Sequence, residues 1–442
     1  MARKFLIFSI PKFGTSVVMG IADFALATLY IVGYGLAPIL VATILALGKI
    51  TIAGSQFFFG WISDQKYTRM GRRKPYLLLL SPLLGISTIF MLLPSLMISL
   101  DEKTIVLMWL LIWYLLFNFS YGVTTPYDSW MAEQFTVQER PKASQWQNIF
   151  GMAGTGLMAV FSMVVLTGFS DSIKADPTAM PPDFLISVIV FGAVVIVLFY
   201  MAAILMATEP KLEIKTSMVD HLKILLKNRN YLLVTLMVGF ASVAWIMVGS
   251  LILLFLENVL QFGMESYIIT AAAYLIGILA FLYLWRKIIS KWGKKKSLLY
   301  IFLLAIVSLP FSLLGILQLG AAFILIYGLV FIIAIAGAMG GWFLMPSILM
   351  ADLAEDDQKK TGELKAGIYQ GFPSVILNLF QALGLMIMGL ILSLPDIDLL
   401  IPASDLDISL GYIIWGPVCS AILIATYFYA KKYIIIDFKW EE

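Results

Sequence analysis

The chain reads as an all-α polytopic membrane protein, with twelve transmembrane helices in two six-helix halves, and three observations predict this. First, 61% of its 442 residues are hydrophobic and only 13% are charged, with a mean hydropathy of +0.94. A soluble domain carries roughly 45–50% apolar and about 25% charged residues, so too little polar surface remains to clothe a water-soluble globule. Second, the apolar residues come in blocks of about twenty between short charged clusters, the length that spans a hydrocarbon core. A transmembrane β-barrel would alternate over about ten residues instead. Third, the halves echo each other. Gly71-Arg-Arg-Lys74 follows the second span and Gly293-Lys-Lys-Lys296 follows the eighth. Pro126-Tyr-Asp-Ser-Trp-Met-Ala-Glu133 ends the fourth span and Pro346-Ser-Ile-Leu-Met-Ala-Asp352 ends the tenth.

Apolar runs between breakers place the spans at 13–34, 38–62, 76–96, 105–134, 143–167, 184–207, 231–256, 267–285, 297–317, 321–349, 366–394 and 411–430. The charged segment 208–230 separates an N-terminal bundle, residues 1–207, from a C-terminal bundle, residues 231–442. With a cytoplasmic N-terminus, all 30 basic residues except Lys49, Lys103 and Lys174 fall on cytoplasmic segments. Positive charge resists translocation, so this asymmetry predicts both termini in the cytoplasm of a multi-pass protein of the cell membrane. The last outer loop is acidic, with Asp396, Asp398, Asp405 and Asp407. Arg3 and Lys4 precede a hydrophobic stretch without a small-residue cleavage site, so the first helix is expected to stay as an anchor.

Several function classes drop out. Cys419 is the single cysteine and lies in the last apolar block, offering neither a disulfide nor a metal cluster. The single histidine, His221, falls in the charged linker and reads as a solvated side chain. Walker loops, metal-ligand spacings and nucleophile constellations are all missing, so no catalytic residue, metal or cofactor is expected, nor an enzyme or ATP-driven pump. The basic clusters follow the positive-inside pattern and are no nucleic-acid surface. The expected partners are the lipid bilayer, a small-molecule substrate and a coupling cation, for a protein acting as a monomer.

A charge in hydrocarbon costs about 2.5–3.5 kcal/mol on insertion scales, which makes each intramembrane charge a candidate functional residue. Asp23 and Lys49 sit at nearly equal depth on sequential helices, so an ion pair is expected, serving either coupling or helix attachment. Asp128 lies just after Pro126, on one face with Tyr121 and Thr124 or Thr125, and no cation shares that face. Ser16, Asp23 and Tyr30 repeat at seven residues on the first helix, and Gln56 follows Lys49 at the same interval on the second. Gln145, Gln147 and Asn148 open the fifth helix. The eleventh carries a polar stripe, Gln370, Ser374, Asn378 and Gln381. Interhelical hydrogen bonding would explain any one of these residues, but a four-residue stripe favours a cavity lining. Trp342, beside Gly340 and Gly341, fits a stacking platform for a sugar ring as well as a lipid contact. At the end of the second helix, Asp64, Arg72 and Arg73 suggest a gate latch of exposed, individually weak ion pairs.

Six plus six helices in the same sense match the parallel repeat of the major facilitator fold, in which substrate binds between the halves near the midplane. More specifically, the chain resembles the glycoside–pentoside–hexuronide:cation symporter family, the group that includes melibiose permease. The resemblance rests on Gly60-Trp-Ile-Ser-Asp64 with Gly71-Arg-Arg-Lys-Pro75, on Pro126-Tyr-Asp-Ser with Glu139-Arg140 and Gln147-Asn-Ile-Phe-Gly151, and on Ala351-Asp352 with Thr361-Gly362 and Gly367-Ile-Tyr. It implies cation-driven sugar uptake. Six positions depart from that pattern. Ile52 and Gln56 stand where such proteins carry an acidic pair for sodium, and Thr15 and Ser16 replace a lysine–aspartate pair. Gln147 replaces an arginine and Asn378 a lysine. Gln56 with Gly71-Arg-Arg-Lys-Pro75 is closer to the proton-coupled sucrose-transporter branch, so the resemblance implies a proton, carried by Asp23 or Asp128, as the driving ion.

The leading expectation is therefore a secondary transporter that moves a sugar or glycoside together with a proton. A carrier of lysolipid or another amphiphile on the same fold predicts a cavity of Phe and Met, against which the polar stripe on the eleventh helix argues. A receptor or scaffold leaves Asp23, Lys49 and Asp128 without a role.

Overall fold

The computed structural model describes residues 2–65, 67–100, 102–136, 139–166, 168–169, 172–173, 176, 179–208, 226–317, 321–361, 366–397 and 408–436. Twelve long helices account for most of them. They are α1 Arg3–Gly33, α2 Pro38–Gln65 and α3 Lys74–Leu92, then α4, which joins Lys103–Ser120, the 3-10 turn Tyr121–Val123 and Thr124–Gln134. There follow α5 Arg140–Phe161, α6 Pro182–Leu205, α7 Arg229–Asn258 and α8 Met264–Trp292. The last four are α9 Lys294–Leu317, α10 Ala321–Thr361, α11 Ala366–Leu392 and α12 Gly411–Tyr433. Eleven helices are long and apolar enough to cross a bilayer. The exception is α5, whose first turns carry Lys142, Gln145, Gln147 and Asn148 and which runs on into a π-helical turn, Ser162–Leu166.

Local chemistry moves some helix ends away from their expected places. The first helix starts ten residues early, because Pro11 opens a new helical segment, Pro11–Phe24, rather than ending one; at a first turn its missing N–H costs nothing. Proline at position 346 does not stop α10 either, and the 41-residue helix is about 60 Å long, twice the thickness of a hydrocarbon core. Its polar extension is held by the Lys359–Glu355 pair at 3.2 Å. Gly293, with φ +81°, supplies the left-handed conformation that ends α8. Between α4 and α5, the Glu139 carboxylate accepts from the Thr136 N–H and Oγ1, both at 3.1 Å. Those donors hold its pKa below the ordinary carboxylate value.

The chain divides into two compact units, Met1–Thr216 and Ser217–Glu442, with six of the helices in each. Of the expected linker 208–230, residues 209–225 lie outside the described set. Within the first unit α1 packs on α5 and α6, α2 on α4, and α3 on α4 and α6. Within the second, α7 packs on α11 and α12, α8 on α10, and α9 on α10 and α12. Each pairing recurs six helices later, the structural counterpart of the sequence echo. Outside these contacts the helices present apolar side chains, among them Leu79, Ile204, Ile276, Phe323 and Phe428, as a hydrocarbon solvent requires.

Small residues let backbones meet. A Cβ on Gly85 of α3 would lie 2.3 Å from the Gly192 carbonyl oxygen of α6, and one on Gly192 would lie 2.7 Å from that of Gly85. Gly85→Ala must therefore push the two helices apart, at a cost of about 1–3 kcal/mol. A lowered thermal midpoint of the detergent-purified protein would report it. Gly54→Ala, with open space around the position, should leave the midpoint unchanged.

Candidate functional site

The functional candidates of the first unit gather on α1. One uninterrupted helical segment, Pro11–Phe24, puts Lys12, Ser16 and Asp23 on one face, because steps of four and seven residues nearly complete whole turns. Near one end of the segment Asp23 accepts from Lys49 Nζ of α2 at 2.7 Å. The lysine side chain is 5% exposed and the aspartate 28%. At the other end Lys12 Nζ lies 3.6 Å from Asp128 Oδ2 of α4. That pair is open to its surroundings, at 31% and 49% exposure. Asp128 thus has a cation after all, supplied by a different helix.

Between the two pairs α5 approaches at backbone distance. A Cβ on Gly154 would meet the Phe13 carbonyl at 2.6 Å, and one on Gly151 would lie 3.3 Å from Ser16 Oγ and 3.5 Å from Lys12 Cγ. Gln147, one turn before Gly151 on α5, is buried and its side chain reaches Tyr127. The Tyr127 hydroxyl donates to the Phe8 carbonyl at 2.6 Å, beside the break at Pro11. Tyr121, at the 3-10 turn of α4, faces Thr15 of α1. Lys12, Thr15, Ser16, Tyr121, Asp128 and Gln147 therefore form one polar cluster where α1, α4 and α5 converge.

Other expected site residues are placed differently. Tyr30 is fully buried, and its hydroxyl donates to the Met91 carbonyl at 2.7 Å. The heptad spacing with Ser16 and Asp23 fails because α1 breaks at Ala25 and ends as a π-helix, Leu29–Gly33. Gln56 Nε2 donates to Thr124 Oγ1 at 3.2 Å, so these two tie α2 to α4. Trp342 meets neither solvent nor lipid: it is buried, stacks on Trp245 with centroids 6.0 Å apart, and lies 5.9 Å from Phe302. Asn378 is buried and donates to the Ser374 carbonyl of its own helix at 2.8 Å, which shortens the expected stripe. The side chain of Gln370 lies outside the described set.

The expected latch also differs. Arg72 and Arg73 are buried rather than exposed, with side chains 3% and 5% accessible, and both reach Glu133 Oε1, at 3.4 and 2.9 Å. Arg73 also donates to Ser63 Oγ at 2.7 Å. Asp64's side chain lies outside the described set. Lys74 Nζ caps the C-terminus of α6 by donating to the Met206 carbonyl at 2.7 Å. The second unit repeats the device. Lys294 pairs with Asp352 at 2.7 Å, and Lys295 donates to the Ile434 carbonyl at the end of α12, also at 2.7 Å. Sequence reasoning missed Glu133 and counted Lys12 as a loop charge. The available signal was that Lys12 falls four residues before Ser16 on one helix. Among the described residues no group of three or more His, Cys, Asp or Glu side chains is placed to hold a metal ion.

Residues 7–430 match the protein family described as MFS/sugar transport protein. No curated protein matches the chain. Among solved structures, a variant of the nucleoside transporter NupG aligns with a TM-score of 0.67 at 13% identity, covering 98% of this chain and 100% of its own. A bacterial homolog of the human lysosomal transporter Spinster, inward-facing, aligns at 0.64 and 13%, covering 98% and 96%. A D-xylose–proton symporter aligns at 0.61 and 14%, with the same coverage. At such identities the likeness is one of fold.

The buried Asp23–Lys49 contact makes a distinct demand on stability. Removing one member strands a charge, at a typical cost of about 3–5 kcal/mol, whereas neutralising both avoids most of that penalty. Asp23→Asn and Lys49→Met should each lower the thermal midpoint more than the double replacement does. An additive double-mutant cycle would contradict the contact.

Proposed function

Because the chain belongs to the MFS/sugar transport protein family and is a multi-helix membrane transporter, we propose that it couples entry of a sugar or glycoside to a proton by alternating access. In this reading it works in the cell membrane as a monomer, with both termini in the cytoplasm. The observation that carries the choice of ion is the state of the carboxylates of the first unit. Among the described residues Asp23 pairs with Lys49 and Asp128 with Lys12, and Gln56, at the position of the acidic pair in the resembling family, spends its amide on Thr124. A sodium ion wants several oxygen ligands, carboxylates among them, while a proton needs one carboxylate.

A carboxylate beside an ammonium stays ionised; moved away from it into a desolvated site, it takes up a proton. Helix rocking that separates a lysine from its aspartate therefore loads or releases a proton. The polar cluster of Lys12, Ser16, Tyr121, Asp128 and Gln147 suits a polyhydroxylated solute. It offers an ammonium and an amide as donors, a carboxylate as acceptor, and hydroxyls that serve as either.

In proteoliposomes, uptake of labelled mono- or disaccharide should follow an imposed pH gradient, collapse with a protonophore and ignore sodium. At least one of Asp23→Asn and Asp128→Asn should abolish accumulation while leaving downhill exchange. Sodium-stimulated uptake at fixed pH, or full accumulation by both variants, would overturn the reading.

A further inference from the structure

We propose that Lys12 is the switchable counter-ion of Asp128, and that Lys12–Asp128 is the working pair while Asp23–Lys49 is a fixed tie; this rests on the symport reading above. The two pairs lie on one face of one helical segment, about 16 Å apart along its axis, yet their environments differ in the property that decides whether a pair can open. Lys49 is enclosed and in direct hydrogen-bond contact with Asp23 at 2.7 Å. Separating them would leave an ammonium in a dry interior, so the contact persists through any rearrangement that keeps α1 against α2. Lys12 and Asp128 are 3.6 Å apart, beyond a good charge-assisted hydrogen bond. Both side chains are substantially exposed, so neither is sealed in by packed protein and opening the pair leaves no enclosed charge behind.

The backbone on both sides suits movement. Lys12 directly follows the Pro11 break in α1, which separates Ala2–Ser9 from Pro11–Phe24. Asp128 lies five residues beyond the 3-10 turn Tyr121–Val123, within the segment that carries Pro126. Helix irregularities of this kind are where a chain bends without losing its other contacts. The neighbours are groups that a solute can engage when the pair opens: Ser16 on the same face as Lys12, Tyr121 on α4, and the buried amide of Gln147. A hydroxylated solute that accepts from Lys12 and donates to Asp128 inserts between them and relieves the carboxylate of its cation. Lys12 acts through Asp128, as a positioning residue.

Chemical replacement of the charge tests this, because the one native cysteine, Cys419, is buried. Without any substrate, the thiol of Lys12→Cys should react faster with cationic aminoethyl methanethiosulfonate than with the anionic sulfonatoethyl reagent, and adding Asp128→Asn should reduce that preference by about tenfold. A preference that Asp128→Asn leaves unchanged overturns the pairing. In proteoliposomes Lys12→Cys should lose accumulation by about tenfold or more while keeping exchange. The aminoethyl adduct should restore accumulation, and the neutral methyl adduct should not. Restoration by the neutral adduct, or full accumulation by unmodified Lys12→Cys, overturns the switch. Wild-type protein that accumulates no sugar under a pH gradient overturns the symport reading instead, and the substrate-free labelling still decides the pair.

Discussion

A charge survives in hydrocarbon only beside its opposite, and in the first unit this requirement governs how the helices stand. Asp23 holds α1 to α2 through the enclosed Lys49, while the more exposed Lys12 reaches Asp128 of α4 at 3.6 Å. Gln56 and Thr124 close the third side by joining α2 to α4. Each contact demands a close approach, and glycine permits it. Gly48 of α2 lies against Tyr114 and Asn118 of α4, and Gly151 and Gly154 of α5 lie against α1. Polar neutralisation and small-residue packing are therefore one constraint seen from two sides. An ion pair across two helices forms only where the backbones come close, and such closeness is tolerable only where side chains are small.

The two units share a packing plan but carry different chemistry on it. Near the end of α4, and nine residues before the end of α10, an acid meets a basic residue from the start of α3 or α9, and the next lysine caps α6 or α12. A cation at a helix C-terminus is favourable because it faces the negative end of the helix dipole, so the same device serves both units. The helix faces have diverged. Where α1 offers Lys12, Ser16 and Asp23, α7 packs Val243 and Ile246 against Gly384 of α11 and stacks Trp245 on Trp342.

Burial also separates attachment from mobility among the charges. Arg72, Arg73 and Glu133 are enclosed, with Arg73 hydrogen-bonded to Glu133 and Arg72 ion-paired to it, so they behave as a structural joint, stable because each member would be stranded without the others. Lys12 and Asp128, more exposed and farther apart, carry less of that penalty. The same residue types thus serve as a weld at one site and as a movable contact at another, and only the surrounding packing distinguishes them.

The sequence by itself determined the fold class, the count of twelve helices and the internal repeat, because these follow from the length and spacing of apolar blocks, properties that the chain cannot hide. It also made Asp23 and Lys49 the obvious partners, since two opposite charges at one depth on consecutive helices have few alternatives. The tertiary structure alone decided the rest. Lys12 looked like a loop charge until Pro11 proved to open a helix rather than end one, and its partner lies 116 positions away on α4. Heptad spacing put Tyr30 with Asp23, but a break and a π-helical turn rotated it onto α3. Trp342 offered no clue to its neighbours, because stacking partners from α7 and α9 are brought together by helix packing. Periodicity reports which residues share a face of an ideal helix; which face meets which helix, and where the helix stops being ideal, is set by contacts between segments far apart in the chain.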